Sequence, residues 1–240
     1  YRFGPRWLGR TRCPTGPGTA LSVSVRQAAL ANGAAGHAHD YDDVHDAMIG
    51  HPTVPVAPAV LALAEHLGSS GADVIAAYCA GVDTECILGR YAGPGHYARG
   101  WHATATLGSL GAAAASARLL GLDVEHTAAA LGIAATQAAG LKSQFGTMGK
   151  PYNAGIAASN GVECATLAAL GFTSCDDGLL DRQGFLPTHS DAIDEAAAFL
   201  GVPARTLPGM PHDVMLNPGW EAAAEPLVGW YRGEFLSAEG

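Results

Sequence analysis

Long runs of alanine and glycine restrict the fold of this 240-residue chain more than any other feature of its sequence. In the run TATLGSLGAAAASARLL (104–120), small side chains occupy nearly every face of a helix. Such helices can approach each other closely, although each buries little apolar area per residue. Alternating strand patterns are hard to find. The sequence therefore predicts an all-α fold, a compact bundle of Ala/Gly-rich helices with tight crossings.

Gly and Pro divide the chain into segments whose apolar residues have helical spacing. The predicted helices span 56–67, 72–88, 104–120, 124–139, 153–170 and 192–200. Asp123 is the expected N-cap of the fourth helix, and Gly121 ends the third. We expect an N-terminal arm or loop over 1–27, a helical domain over 28–202 and a Pro-rich C-terminal tail over 203–240.

Charge and composition exclude several classes of function. The chain carries 13 Lys+Arg against 22 Asp+Glu, a net charge of −9, whereas nucleic-acid binding needs a basic surface. The longest apolar stretches fall short of the ~18 residues that a membrane span requires. Five cysteines without a Cys-x-x-Cys pair favour reduced cysteines in a cytoplasmic protein. Tyr1 is not an initiator methionine and no signal-peptide core follows it, so we expect a trimmed or partial chain.

Polar residues are concentrated in three segments, and the first of them spans 37–51. It contains four Asp and four His within 15 positions. Neighbouring carboxylates can orient a histidine and set its pKa, which favours an acid/base site. Metal ligation and a solvated acidic loop remain alternatives, although no His-Glu-x-x-His pair is present.

The second segment, RGWHATATLG (99–108), places His102 and two threonines at the start of a predicted helix. Free backbone N–H groups and the helix dipole favour a bound anion at such a position. The alternative is structural: Thr104 caps the helix and His102 packs on Trp101.

The third segment, QFGTMGKPYNAG (144–155), contains Lys150, one of very few lysines in the chain. It lies in a Gly-rich turn before a predicted helix. A lysine there suits pairing with a substrate carboxylate, or proton transfer if burial lowers its pKa. An ordinary exposed lysine is the alternative. The phosphate-loop pattern fails, because Pro151 follows the lysine.

Taken together and in this order, the segments resemble the MmgE/PrpD family, which includes 2-methylcitrate dehydratase and cis-aconitate decarboxylase. The matching runs are ALANGAAGHAHDYDDVH (29–45), HPTVPVAPAVLALAE (51–65), RGWHATATLGSLGAAAASARLLGL (99–122) and FGTMGKPYNAGIAASNGVECATLAALGFT (145–173). The resemblance covers residues 28–185. It implies a helical domain followed by a smaller α/β lid domain, commonly as a homodimer. It also implies dehydration, decarboxylation or epimerisation of small di- and tricarboxylates without metal or organic cofactor.

The resemblance also suggests which residues form the site. The candidate catalytic residues are Asp40, His51, His102 and Lys150. The adjacent candidates for substrate binding are Tyr41, Asp42, Asp43, His45 and Thr104. The chain departs from the family pattern at Val44, where a hydroxyl residue is often found, and at Ile156, where a basic residue is common. The family's lid also supplies a lysine and a tyrosine, but no lysine follows Lys150, so we expect the lid to be missing or on another chain.

The expected function is that of a cofactor-independent lyase, with dehydration of a 2-methylcitrate-like substrate as the expected reaction. His102 and His51 would transfer protons, and Asp40 would orient an imidazole. Lys150 and the helix start around Thr104 would hold carboxylates and stabilise enolate-like charge. The expected partners are a small polycarboxylate, a second copy of the chain in a homodimer, and a possible separate lid-domain chain.

Three alternatives to this function stay open. The chain could be a decarboxylase or an epimerase of the same family. It could be a catalytically incomplete member without a lid, acting as a subunit or a binding protein. It could also be a His/Asp metal-binding protein that uses residues 37–51.

Overall fold

The computed structural model describes residues 10–14, 20–175 and 177–190, and this part of the chain is mainly helical. The helices are α1 Val25–Gly36, α2 Thr53–Leu67, α3 Gly71–Ala98, α4 Ala103–Leu120, α5 Val124–Gln137, α6 Gly149–Ala169 and α7 Phe185–His189. The all-α prediction is therefore confirmed. The predicted helix over 192–200 and the predicted tail over 203–240 lie outside the described residues.

Local sequence signals set several helix ends, and those at Gly121 and Asp123 are as predicted. Gly121 ends α4 in the left-handed conformation, with φ +66°. The Asp123 side chain caps α5 by accepting a hydrogen bond from the backbone N–H of His126 at 2.9 Å. Ser70 caps α3 in a capping box with Asp73. These ends depend only on neighbouring residues, which is why the sequence predicts them.

The predicted end of the second helix at residue 88, just before Gly89, was wrong. Helix α3 continues to Ala98, with a kink at Gly93. A Cβ atom at position 89 would lie 2.5 Å from the Cα of Met48. Gly89 is therefore required for close packing against the loop before α2, and it does not stop the helix.

Helix α6 begins at Gly149, four residues before the predicted start. Pro151 is compatible with this start, because the first N–H groups of a helix have no partner within it. The earlier start places Lys150 in the first turn of α6. The lysine is thus carried by a helix and not by a loose turn.

A β-hairpin precedes α1 within the segment predicted as an arm or loop. Strands β1 Arg10–Pro14 and β2 Ala20–Ser24 are antiparallel, with Arg10 opposite Ser24. In β2 the apolar residues Leu21 and Val23 alternate with Ser22 and Ser24, but this alternation is short and follows a Gly- and Pro-rich stretch, so no strand was predicted there. Ser24 ends the hairpin and also caps α1 in a capping box with Gln27.

Helix α4 is the centre of the bundle and packs against α2, α3, α5 and α6. Its residues from Ala103 to Ala117 are all buried. A Cβ at Gly161 of α6 would lie 2.3 Å from the Cβ of Ala112, so the two helices approach as closely as the small residues suggest. None of the described helices has the length and hydropathy that a membrane span needs. The start of α4 lies at the edge of this core, beside the polar segments.

Candidate active site

The three polar segments meet at one cavity of about 400 Å³. The loop between α1 and α2 forms one wall, and the starts of α4 and α6 form the others. The lining residues are Asp40, Val44, Asp46, Ile49, Gly50, His51, Tyr97, His102, Thr104, Phe145 and Lys150. The cavity thus brings together all four residues predicted to be catalytic.

The loop before α2 is fixed onto the start of α4. The backbone N–H of His51 donates to Oγ1 of Thr104 at 3.0 Å. A Cβ on Gly50 would lie 3.1 Å from the N and Oγ1 atoms of Thr104, so the loop backbone rests directly on the helix. Asp40 and Ile49 both adopt left-handed backbone conformations, with φ 57° and 52°. This conformation costs an L-residue roughly 1–2 kcal/mol, and it is least suited to a β-branched side chain such as that of Ile49.

Lys150 and Asp40 form the ion pair at the centre of the cavity. The Lys150 ammonium donates to Oδ1 of Asp40 at 2.5 Å. This hydrogen bond is the main reason that the pKa of Asp40 lies below its ordinary value. The Lys150 Nζ atom also lies 5.2 Å from the ring centre of Phe145. The ion pair therefore ties the α1–α2 loop to the first turn of α6.

His51 lies between two carboxylates. Its Nε2 atom is 3.5 Å from Oδ1 of Asp40, and its Nδ1 atom is 3.3 Å from Oδ2 of Asp42. The side chain is 15% exposed, so the ring edge reaches the cavity. The predicted orientation of an imidazole by a carboxylate is therefore possible from either side of the ring.

His102 is the N-cap residue of α4 and is almost fully buried. Its Nδ1 atom lies 3.4 Å from the amide nitrogen of Asn153, and its ring meets Phe145 edge-on at 5.0 Å. Burial is the main reason that the pKa of His102 is lowered to about 3, and the Lys150 ammonium makes a smaller contribution in the same direction. His102 is therefore a neutral imidazole at neutral pH.

The structure contradicts the alternative for the second segment, in which Thr104 caps the helix and His102 packs on Trp101. His102 and not Thr104 occupies the N-cap position of α4. The Thr104 hydroxyl instead accepts the hydrogen bond from His51, and the Trp101 ring packs against His189 at 4.4 Å. The alternative of an ordinary exposed Lys150 fails as well, since only 15% of that side chain is exposed.

Four of the five predicted substrate-binding residues do not line the cavity. Tyr41 is 94% exposed. Asp43 accepts hydrogen bonds from the N–H and hydroxyl of Thr53, at 3.1 and 2.8 Å, and so caps the start of α2. The Nδ1 atom of His45 accepts from the N–H of Ala47 at 3.1 Å. Asp43 and His45 thus shape the loop, whereas Thr104 lines the cavity and Asp42 lies behind it.

Sequence reasoning did not assign roles to His37, Phe145 and Asn153. His37 is buried and its Nδ1 atom donates to Asp42 at 2.8 Å. The Phe145 ring contacts His102, and Asn153 reaches the same histidine from α6. The position of His37 beside an Asp-rich run was a usable signal, but the contacts of the other two depend on helix packing.

Four side chains of the first segment could together ligate a cation. Each of His37, Asp40, Asp42 and His51 offers one ligand atom, and these atoms lie within 4.8 Å of one another. Imidazole and carboxylate groups suit divalent transition metals. Lys150 competes for this role, because its ammonium already neutralises Asp40. The metal-binding alternative therefore remains a hypothesis that a direct assay must decide.

Comparison with known proteins identifies the family. A sequence model of the MmgE/PrpD N-terminal domain matches residues 8–196. The chain belongs to the MmgE/PrpD family. This confirms the resemblance seen in the sequence motifs, and the matched range contains every residue of the cavity.

Curated relatives of this MmgE/PrpD chain are named for one reaction. The cis-aconitate decarboxylase of Homo sapiens is 37% identical over 150 residues, which cover 60% of this chain and 31% of that protein. The cis-aconitate decarboxylase-like protein oryM of Aspergillus oryzae is 40% identical over 170 residues, or 66% and 35% of the two chains. The cis-aconitate decarboxylase of Aspergillus terreus is 39% identical over 168 residues, or 66% and 34%. The chain thus spans about a third of the length of these relatives.

Proposed function

We propose that this chain carries the site of a lyase that acts on a small di- or tricarboxylate without a metal or organic cofactor. The observation that supports it is the convergence of Lys150, His51 and His102 on one cavity beside Asp40. A cation and two imidazoles within one small cavity can bind an anion and move a proton. The volume of about 400 Å³ is within the range of small-molecule sites.

Decarboxylation of a cis-aconitate-like substrate is the reaction that the names of the relatives favour. In this reaction the bond between a carbon and its carboxylate breaks, and CO₂ leaves. The electron pair stays on the carbon, and a proton from an acid takes the place of the CO₂. The protein must therefore supply a positive charge near the developing carbanion and one proton donor.

The cavity offers a group for each of these tasks. The Lys150 ammonium is the cation, and a substrate carboxylate would share it with Asp40. The Thr104 hydroxyl accepts from the His51 backbone, which leaves its own hydrogen to donate to a second carboxylate. His51 is the proposed proton donor, since its Nε2 atom lies next to Asp40 in the cavity.

Dehydration of a 2-methylcitrate-like substrate, the reaction expected from the sequence, uses the same residues. A base removes the proton α to a carboxylate, the carbon–oxygen bond breaks, and an acid protonates the departing hydroxyl. The neutral His102 is in the form that a base requires, and His51 is the proposed acid. Epimerisation likewise needs a base to remove the proton α to a carboxylate, and an acid then returns a proton to the opposite face of the carbon. Decarboxylation breaks a carbon–carbon bond instead and needs only the acid.

The proposed assembly of the protein follows from the expected homodimer and lid. We expect a homodimer in the cytoplasm and a possible separate lid-domain chain over the cavity. Exposed apolar side chains surround this side of the molecule, among them Val44 and Met148, at 68% and 89% exposure. Native mass spectrometry would give the number of copies and any partner chain together.

Turnover tests the proposal directly. The full chain is incubated with cis-aconitate, 2-methylcitrate or citrate in the presence of EDTA, and the products are followed by NMR. We expect turnover of one of them by the wild-type chain, unchanged turnover in Lys142→Met, and loss in Lys150→Met. Lys142 is a matched control, because this residue does not line the cavity. Its Nζ atom donates to the carbonyl of Tyr97 at 2.9 Å.

Two results would count against the proposal. If activity disappears only with EDTA, a metal takes part and the cofactor-independent mechanism is wrong. If the chain binds these acids but none is turned over, it acts as a binding protein or as a subunit that needs a partner.

A further inference from the structure

His37 contacts both histidines that line the cavity but does not line it itself. It follows the last turn of α1, and its side chain is fully buried. Its ring lies 4.7 Å from that of His51, edge-on, and 5.9 Å from that of His102, nearly parallel. His37 therefore lies directly behind both of the histidines assigned to proton transfer.

Asp42 links His37 to His51. Its two carboxylate oxygens lie 3.0 and 2.8 Å from Nδ1 of His37. A carboxylate can only accept, so Nδ1 of His37 carries the hydrogen. The Oδ2 atom of Asp42 also lies 3.3 Å from Nδ1 of His51, in an ion-pair contact whose alignment falls short of a hydrogen bond. The Asp42 carboxylate, which is 10% exposed, thus contacts the Nδ1 atom of His37 and the Nδ1 atom of His51.

A neutral His37 leaves the charge of Asp42 available to His51. Burial is the main reason that the pKa of His37 is lowered, and the contact with Asp42 opposes this only in part. His37 then orients the carboxylate through a hydrogen bond and does not cancel its negative charge. Its Nε2 atom is buried without a hydrogen-bond partner among the described residues, so the ring has no second hydrogen bond that competes with the one to Asp42.

We propose that His37 is a positioning residue that holds Asp42 against Nδ1 of His51, so that Nε2 is the nitrogen of His51 that exchanges protons with the substrate. The hydrogen on Nδ1 of His51 then stays in place while the one on Nε2 is transferred. This inference rests on the proposed function for its catalytic consequence. The geometry of the three residues can be tested without turnover.

Kinetics of three variants test the catalytic consequence. His37→Leu removes the donor to Asp42, while His37→Asn places an amide N–H where Nδ1–H was. His39→Asn is the control, because His39 lies on the same loop and is exposed. Partners that orient metal-ligating histidines contribute roughly tenfold to a hundredfold to metal affinity or activity, and we expect an effect of similar size on a histidine that transfers protons. We expect His37→Leu to lower kcat by about tenfold or more with KM within about twofold, and His37→Asn to restore most of kcat. Equal losses in the Leu and Asn variants, or an unchanged kcat in His37→Leu, would overturn the proposal.

Imidazole NMR on the full chain separates this inference from the proposed function. In ¹⁵N-histidine-labelled protein we expect His37 and His51 to carry hydrogen on Nδ1. His37→Leu should shift the Nδ1 signal of His51, and His39→Asn should leave it in place. Asp42→Asn should shift the signals of both histidines, and it serves as the second variant if His37→Leu does not fold. An unchanged His51 signal in the variants that remove the contact overturns the positioning role, whereas absent turnover with the expected NMR shifts overturns the proposed function alone.

Discussion

Glu85 offers the sharpest test of the packing beneath the site. It lies on α3, and its carboxylate is fully buried against α4. Gly111 and Gly108 make room for it, since a Cβ at these positions would lie 3.0 Å from its Cδ and 3.5 Å from its Oε2. Neither carboxylate oxygen has a hydrogen-bond partner within the described part of the chain. Burial raises the pKa of Glu85 well above its ordinary value of 4.5, and the negative charge of Asp43 adds to the effect.

The raised pKa of Glu85 makes the free energy of unfolding depend on pH. The folded chain keeps the proton, while the unfolded chain releases it above pH 4.5. The stability associated with this group is thus full below the unfolded pKa and is lost as pH rises through the folded pKa. While the folded carboxyl stays protonated, the loss is about 1.4 kcal/mol for each pH unit above the unfolded pKa.

Replacement of Glu85 by glutamine should remove this loss, because the amide has a similar shape and no charge. Urea unfolding at pH 5, 6 and 7 measures the free energies of the wild type and of Glu85→Gln. We expect the difference in favour of the variant to grow as the pH rises, by about 1.4 kcal/mol per pH unit while the folded carboxyl stays protonated. Glu125→Gln is the control, because Glu125 is exposed in the first turn of α5. If the wild type and Glu85→Gln show parallel pH dependence, the reasoning about a buried neutral carboxyl is wrong.

Three further predictions concern the helix crossing and the cavity. Gly161→Ala should lower the free energy of unfolding by about 1–3 kcal/mol in urea titrations, because the added Cβ would meet Ala112. Gly71→Ala is the control, since its Cβ meets no atom within 4 Å. Equal stabilities of the two variants would contradict the tight crossing. Citrate should raise the pKa of His102 above its value of about 3 in an NMR pH titration, since a bound anion favours the imidazolium. An unchanged pKa would show that citrate does not bind beside His102. Asp40→Asn should bind citrate about fivefold more tightly by calorimetry, because the Asp40 carboxylate no longer competes with citrate for the Lys150 ammonium. Weaker binding by the variant would show that Asp40 contributes to citrate binding.

The sequence predicts the features that depend on neighbouring residues. The Asp123 cap and the Gly121 stop are formed within one helical turn, and both were predicted correctly. Gly89 has the same local appearance as a helix stop, but its role is set by the backbone of Met48, which lies far away in the sequence. A glycine required for packing cannot be told from a terminating glycine without the fold.

The same limit applies to the site. The family motifs predicted Asp40, His51, His102 and Lys150 together as catalytic residues, and all four line the cavity. A role for His37 could not be assigned from the motifs alone, because its contact with Asp42 depends on how the loop turns between the two residues. That turn passes through the left-handed backbone of Asp40, which no local pattern in the run HAHDYDD specifies.

Binding of cis-aconitate to the full chain tests most directly the claim that Lys150 holds a substrate carboxylate in this cavity. Calorimetric titrations at pH 7 and low salt compare the wild type with Lys150→Met and Lys142→Met. A charge-assisted hydrogen bond contributes about 1.5–3 kcal/mol, so we predict that Lys150→Met weakens binding by roughly tenfold or more while Lys142→Met binds like the wild type. Equal affinities in all three proteins, or no binding by the wild type, would contradict the account.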